Sequence, residues 1–258
     1  MMNSLFFFSH QDDEFGVYQS ILNEVESNTN VLIYYFTTGA LSGSDTLSLK
    51  RNLESVKVLK NLGVHEKNIF FVGSLLKIND QEIVFRMADA YKWLSENIKN
   101  IKNIKNIYVH SYEGGHIDHD SLHLIISQFF KNNGMLHQVY QFSLYHSKSC
   151  PKLFFKALNP LAENGKVKIS KIKFINRFYF LSLVLNYRSQ FLTFFALFPY
   201  IAYEYCFHGR EKLQKVNIIR FPEKPYNGAM FYEKRAILSW EIFKQESLGF
   251  MKFLEQHN

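Results

Sequence analysis

Cysteine is scarce. The 258 residues include two, Cys150 and Cys206, too few for a disulfide framework and without the short spacing of a thiolate metal site. That usage fits a reducing compartment, so a cytoplasmic location is expected. Long apolar runs are also missing. The first, beginning at Leu5, stops at His10. It is too short to span a bilayer, and it lacks the basic region and cleavage site of a signal peptide. The richest stretch, Phe178 to Phe207, is interrupted by Arg188, Gln190, Pro199 and Glu204. It therefore reads as helical, core-packed chain, with peripheral membrane contact left open. No arginine-rich block or nucleic-acid motif is present, so no nucleic-acid partner is expected. Gly114-Gly115 lacks the G-x-G-x-x-G of a dinucleotide site. Neither Ser9 nor Ser111 sits in a nucleophile elbow, which argues against a serine hydrolase.

Aromatic residues, by contrast, are plentiful. With 26 Phe, 15 Tyr and 47% hydrophobic residues, core volume is not limiting, and one globular unit over residues 1–258 is the simplest reading. The formal net charge of +7 fits a lysine-rich surface. Periodicity then orders the first 145 residues. Leu5–Phe8 is apolar on both faces, as a buried strand is, and 15–25 has helical spacing. Strand 31–36, helix 47–62 ending at Gly63, strand 69–72 and helix 83–98 follow. Residues 97–106, rich in Ile, Lys and Asn, read as a helix end and solvated connection. Strand 107–110, helix 122–130 and strand 139–144 complete the alternation. This predicts an α/β fold: a Rossmann-like, doubly wound, mostly parallel sheet with helices on both faces and an irregular C-terminal extension over 146–258. In that extension, 166–173 reads as an edge strand or hairpin whose lysines block further pairing, and 236–253 as a C-terminal helix.

Two polar clusters interrupt the pattern. His10-Gln11-Asp12-Asp13-Glu14 follows the first strand, and Ser111 to Asp120, with His116, Asp118 and His119, follows the fourth. Right-handed crossovers put both on one rim of a parallel sheet, where ligands bind. Imidazoles and carboxylates together suit a divalent cation such as zinc. Taken singly, the acids could merely cap a helix and His116-x-x-His119 could be an exposed helix start. Two such clusters on one rim are far more specific.

The paired motifs resemble those of the PIG-L (LmbE-like) family of zinc-dependent N-acetylglucosamine deacetylases, whose pattern is His-Pro-Asp-Asp-Glu followed by Gly-His-x-Asp-His. Arg51-Asn52-Leu53-Glu54 with Leu62-Gly63 is similar to a third family element, and Tyr187-Arg188-Ser189-Gln190 to a Tyr-x-Ser-Gln element of some members. Gln11 and Ile117 stand where prolines are usual, and Thr37-Thr38-Gly39 replaces the commoner Thr-Asp-Gly. The resemblance implies that His10, Asp13 and His119 hold zinc, or another divalent cation such as Fe2+. Asp12 would be the general base toward a zinc-bound water. A protonated His116, oriented and charged by Asp118, would stabilise the oxyanion. Arg51 would contact substrate or phosphate; otherwise it pairs with Glu54 one helical turn on. The implied reaction is hydrolysis of the acetamide of an N-acetylated amino sugar. Alternatives are the same chemistry on a non-sugar amide, or a catalytically silent glycolipid-binding protein, with an oligomer also open. The aglycone is not legible.

Overall fold

The computed structural model describes residues 1–41 and 44–257, the last without its side chain; Ser42 and Gly43 of the loop expected after the second strand lie outside them. In chain order the elements are β1 (Asn3–Phe8), α1 (Tyr18–Glu26), β2 (Asn30–Tyr35), α2 (Asp45–Asn61), β3 (Ile69–Phe71), α3 (Val72–Leu76), α4 (Met87–Asn97), β4 (Ile104–His110), α5 (Ile117–Asn132) and β5 (Val139–Phe142). There follow β6 (Tyr145–His146), β7 (Lys156–Ala157), β8 (Val167–Lys171), α6 (Phe174–Val184), α7 (Phe191–Ala202), β9 (Arg210–Lys215), α8 (Phe231–Lys234) and α9 (Trp240–His257).

The main sheet has the order β3-β2-β1-β4-β5-β9-β8. Its first five strands are parallel; β9 runs antiparallel to both β5 and β8. The mostly parallel α/β expectation therefore holds. β1 explains why: Leu5 and Phe7 face one apolar core, shared with α4, α5 and α9, while Phe6 and Phe8 face the other, shared with α1, α2, α6 and α7. A strand buried on both faces needs helices on both. Each of these phenylalanines is fully buried and contributes about 1.5–3 kcal/mol. Among the described residues no helix is long and apolar enough to cross a membrane.

Three readings change. Residues 104–106, expected as connection, open β4; isoleucines at every third position hid the strand behind a helix-like spacing. In the C-terminal part β8 is the expected edge strand, but β9, which was not expected, joins it to β5 and extends the sheet. The segment 178–207 is helical, as α6, α7 and a π turn over Tyr203–His208, but only one side of it is core-packed. The chain winds one way from β1 to β2 and β3, and the other way through β4 and β5. The order reverses between β1 and β4, so the loops leaving these neighbouring strands flank the crevice where such sheets bind ligands.

Candidate metal centre

The loop after β1 is tightly wired. Asp12 takes φ 121°, a conformation rare for a non-glycine residue and one that must be held by its surroundings. Its N–H donates to Glu14 Oε2 (3.0 Å), and the His10 N–H donates to Asp13 Oδ2 (2.7 Å). Gln11, in the proline position, ties the loop to α2 through Asn52 Oδ1 (2.6 Å). The two aspartates thereby reach different partners: Asp12 meets Arg51, and Asp13 meets three imidazoles.

The loop after β4 is held by buried carboxylates. Asp120 accepts the N–H groups of Glu113 (3.0 Å) and Gly114 (3.1 Å), and Glu113 accepts those of Leu144 (2.7 Å) and Tyr145 (2.9 Å). Gly115 has a steric reason: a Cβ there would lie 1.9 Å from the Tyr145 carbonyl oxygen. His116 then caps α5, its Nδ1 accepting the Asp118 N–H (3.2 Å). Since Nδ1 accepts, the proton of the neutral ring lies on Nε2. Asp118 and His119 fall in the first turn of α5, which begins five residues earlier than its apolar pattern suggested.

The two loops meet across the crevice. His10 Nδ1 lies 3.3 Å from His119 Nε2 and 3.3 Å from Asp13 Oδ2, and His119 Nε2 lies 3.3 Å from Asp13 Oδ1. Zinc bonds of about 2.0–2.1 Å in a tetrahedron imply ligand-to-ligand edges of about 3.4 Å. The donor chemistry and spacing therefore fit a divalent cation. The other nitrogen of His10 faces Asp80 Oδ1 and Asp118 Oδ2, both at 3.1 Å. A carboxylate behind an imidazole in this way fixes the tautomer that leaves Nδ1 free to ligate. Three sets of side chains here are close enough to share an ion: His10, His116 and His119; His10, Asp80, His116 and Asp118; and Asp13, His110 and His119.

Two of these residues escaped the sequence reading. Asp80, in the loop between α3 and α4, also lies 3.5 Å from His116 Nε2. His110, the last residue of β4, stacks on His119 with ring centroids 4.0 Å apart and comes within 3.2 Å of Asp13 Oδ2. A histidine ending a buried strand at the switch point was the available signal. Asp80 had none, because Asn79-Asp80-Gln81 reads as an ordinary turn.

Of two expected contacts, one is long and the other takes different partners. Asp118 is 3.9 Å from His116 Nδ1, since its own backbone N–H already occupies that nitrogen. Its carboxylate instead accepts from Gln81 N (2.6 Å) and Ile83 N (3.0 Å) besides facing His10. Arg51 forms no turn-length pair with Glu54, which accepts from the Ser189 backbone N–H (3.0 Å). Arg51 donates to the Gly39 and Gln11 carbonyls and to Asp12 Oδ1 (3.3 Å), and so braces the β1 loop. It also lines a pocket of about 160 Å3 over the site, with Asp12, Asp80, His116, Gln190 and Arg235.

Burial dominates the electrostatics. It pushes Asp12 up to about 8, with Asp13 and Glu14 adding to the rise and Arg51 and His10 opposing it. Asp13 moves the other way: burial resists, but His119, His110 and His10 hold its carboxyl well below the usual range. His119 falls to about 3 and His116 to about 4, chiefly through burial. Burial thus favours the neutral form of both rings, the form in which an imidazole ligates. His10 is raised because Asp80 and Asp13 outweigh its burial.

Comparison with known proteins follows this geometry. No curated protein sequence matches the chain. Solved structures with the same fold include teicoplanin deacetylase in a zinc-inhibited form, at 16% identity and TM-score 0.59, covering 83% of this chain and 97% of that one. A40926 pseudoaglycone deacetylase is 15% identical with TM-score 0.55, covering 84% and 98%. N,N'-diacetylchitobiose deacetylase from Pyrococcus horikoshii is 17% identical with TM-score 0.55, covering 85% and 87%. Residues 5–130, which span both loops, match the family described as GlcNAc-PI de-N-acetylase. Over those residues the chain is similar to the PIG-L family.

Proposed function

We propose that this chain is a metal-dependent deacetylase that hydrolyses the acetamide of an N-acetylated amino sugar to the free amine and acetate. The observation that carries the reading is the convergence of His10 Nδ1 and His119 Nε2, 3.3 Å apart, on the two oxygens of Asp13, Oδ2 at 3.3 Å from His10 and Oδ1 at 3.3 Å from His119, with the Asp12 carboxylate on the adjoining residue. His10, Asp13 and His119 would hold zinc or Fe2+. Bound there, the cation would supply Lewis acidity, acidifying a water and polarising the acetamide carbonyl. Asp12 would take the proton of the attacking water and return it to the leaving amine. Arg51 would keep that carboxylate in place. The His116 Nε2–H would donate to the oxygen that gains charge as the carbonyl carbon becomes tetrahedral.

An amino sugar is favoured over other amides by the names of relatives: the family's description specifies GlcNAc-PI, and one fold neighbour's specifies N,N'-diacetylchitobiose. We take residues 1–258 as one unit in which 146–258 shapes the substrate side, since Gln190, Thr193, Leu197 and Arg235 of that part line the pocket. The test is acetate release by the metal-loaded protein from a panel of N-acetylhexosamine nucleotides, glycosides and glycolipids. At least one sugar should yield acetate. Hydrolysis of non-sugar amides alone would make it an amidase of another class, and no hydrolysis of any amide would make it a binding protein.

A further inference from the structure

The surface most at odds with water lies on α6, α7 and the turn after them. The sequence of α7, FLTFFALFPYIA, is apolar on every side. Phe194, Leu197 and Ile201 turn into the core. The opposite side has no such cover: Phe191, Leu192 and Phe195 are 67%, 83% and 73% exposed. On α6 the same holds for Phe174, Ile175 and Phe178, and Phe207 continues the face. A helix apolar all round belongs in a core or against lipid, and a contiguous exposed apolar patch marks an interaction surface.

Charge decides what covers it. Residues 166–210 contain seven Lys and Arg against a single acid, Glu204, which is buried and takes the ammonium of Lys212 at 3.0 Å. This stretch therefore holds six of the chain's seven net positive charges, and the remainder is nearly balanced. Arg177 is used internally, on the Ile172 and Cys206 carbonyls. Lys171, Lys173 and Arg210 are exposed together at the foot of α6. Arg188 is exposed between the helices, in an apolar groove of about 540 Å3 with Leu185, Phe191 and Phe195. A second copy of the chain on this face would bring like charges together. A bilayer with anionic headgroups satisfies both features, taking the rings at the acyl boundary and the cations at its phosphates.

We propose that α6 and α7 form a docking face for an anionic lipid bilayer, in interfacial rather than spanning contact. Gln190, Thr193 and Leu197, at and along α7, line the pocket over the metal centre, so docking brings the mouth of that pocket to the membrane plane. The docking is independent of the deacetylase reading, because its readout is vesicle binding.

The test is co-sedimentation of the full chain with vesicles of phosphatidylcholine alone or mixed with phosphatidylglycerol. Binding to the mixed vesicles should exceed binding to the neutral ones by at least about tenfold, and should fall as salt shortens the screening length. Leu192→Ser with Phe195→Ser should lower binding by about tenfold or more with an unchanged Tm. Lys171→Glu with Lys173→Glu should remove the preference for anionic lipid. Phe195→Trp should shift its emission to the blue on mixed vesicles. No binding to mixed vesicles at low salt would overturn the proposal, as would equal binding by the serine variant. So would a soluble dimer, by light scattering, that the serine variant breaks while vesicles capture nothing.

Discussion

Asp12→Asn removes a charge and keeps a shape, which makes it the sharpest probe of the proposed chemistry. The backbone at this position has φ 121°. Asparagine visits positive φ more readily than alanine does, so an alanine variant would mix a backbone effect into the result. The Asn oxygen can still accept from Arg51, 3.3 Å away in the parent chain. The side chains of His10, Asp13 and His119 are untouched. Loss of a general base costs about 10²–10⁴ in rate, or about 3–5 kcal/mol at about 1.4 kcal/mol per tenfold. The loss should fall on kcat, with KM changed little, because the base acts in the transition state. Stability should not fall. Burial, with Asp13 and Glu14, has pushed the Asp12 carboxyl up to about 8, so its ionised form is disfavoured by folding, and a neutral amide there should leave Tm equal or higher. The assay pairs acetate release with elemental analysis of bound metal. Retention of kcat within about threefold at full metal content would refute the base assignment. Loss of metal would instead make Asp12 a ligand.

Other outcomes follow from the same geometry. His119→Ala should yield protein with little or no bound metal by elemental analysis; full metal content would refute the ligand set. Asp80→Asn leaves His10 Nε2 with Asp118 as its one carboxylate, and should weaken metal affinity by about 10–100-fold in chelator competition. Metal binding should also depend on pH. The metal-free His10 ring is raised above 6.5 because Asp80 and Asp13 outweigh its burial, and a cation must displace that proton. Affinity measured by titration should therefore climb as pH rises toward the folded His10 pKa and level off above it. For the metal-free chain the sign is opposite. The stability due to protonated His10 is fully present below about 6.5 and is lost as pH rises through the raised folded value, so its Tm should decline across that window.

The α/β core was legible because period-two and period-3.6 patterns are local, and Leu5–Phe8 could be buried only by helices on both faces. The two motif loops were legible for a related reason: each follows its own strand, and parallel winding alone brings strand ends to one rim. Contacts between distant segments were not. Arg51 and Glu54 have the spacing of a helical pair, yet Asp12 and Ser189 take them, since the burial of Arg51 makes tertiary partners more valuable than a surface pair. Asp80 becomes chemical only after the chain from α3 to α4 has crossed the rim and set its carboxylate 3.1 Å from His10.

The segment over α6 and α7 shows a different limit. A helix apolar on all sides reads as core, and composition cannot say which side the protein leaves bare. The lysines of β8 have a sufficient explanation as guards of an exposed edge, because β8 is the last strand of the sheet. That explanation stops at the strand. It covers neither Arg188, which lies between two helices beside Leu185 and Phe191, nor the absence of any exposed acid from residue 166 to residue 210. Edge protection requires charge of either sign along one strand. A surface that must meet phosphates requires one sign across several elements, and that is the distribution this chain has.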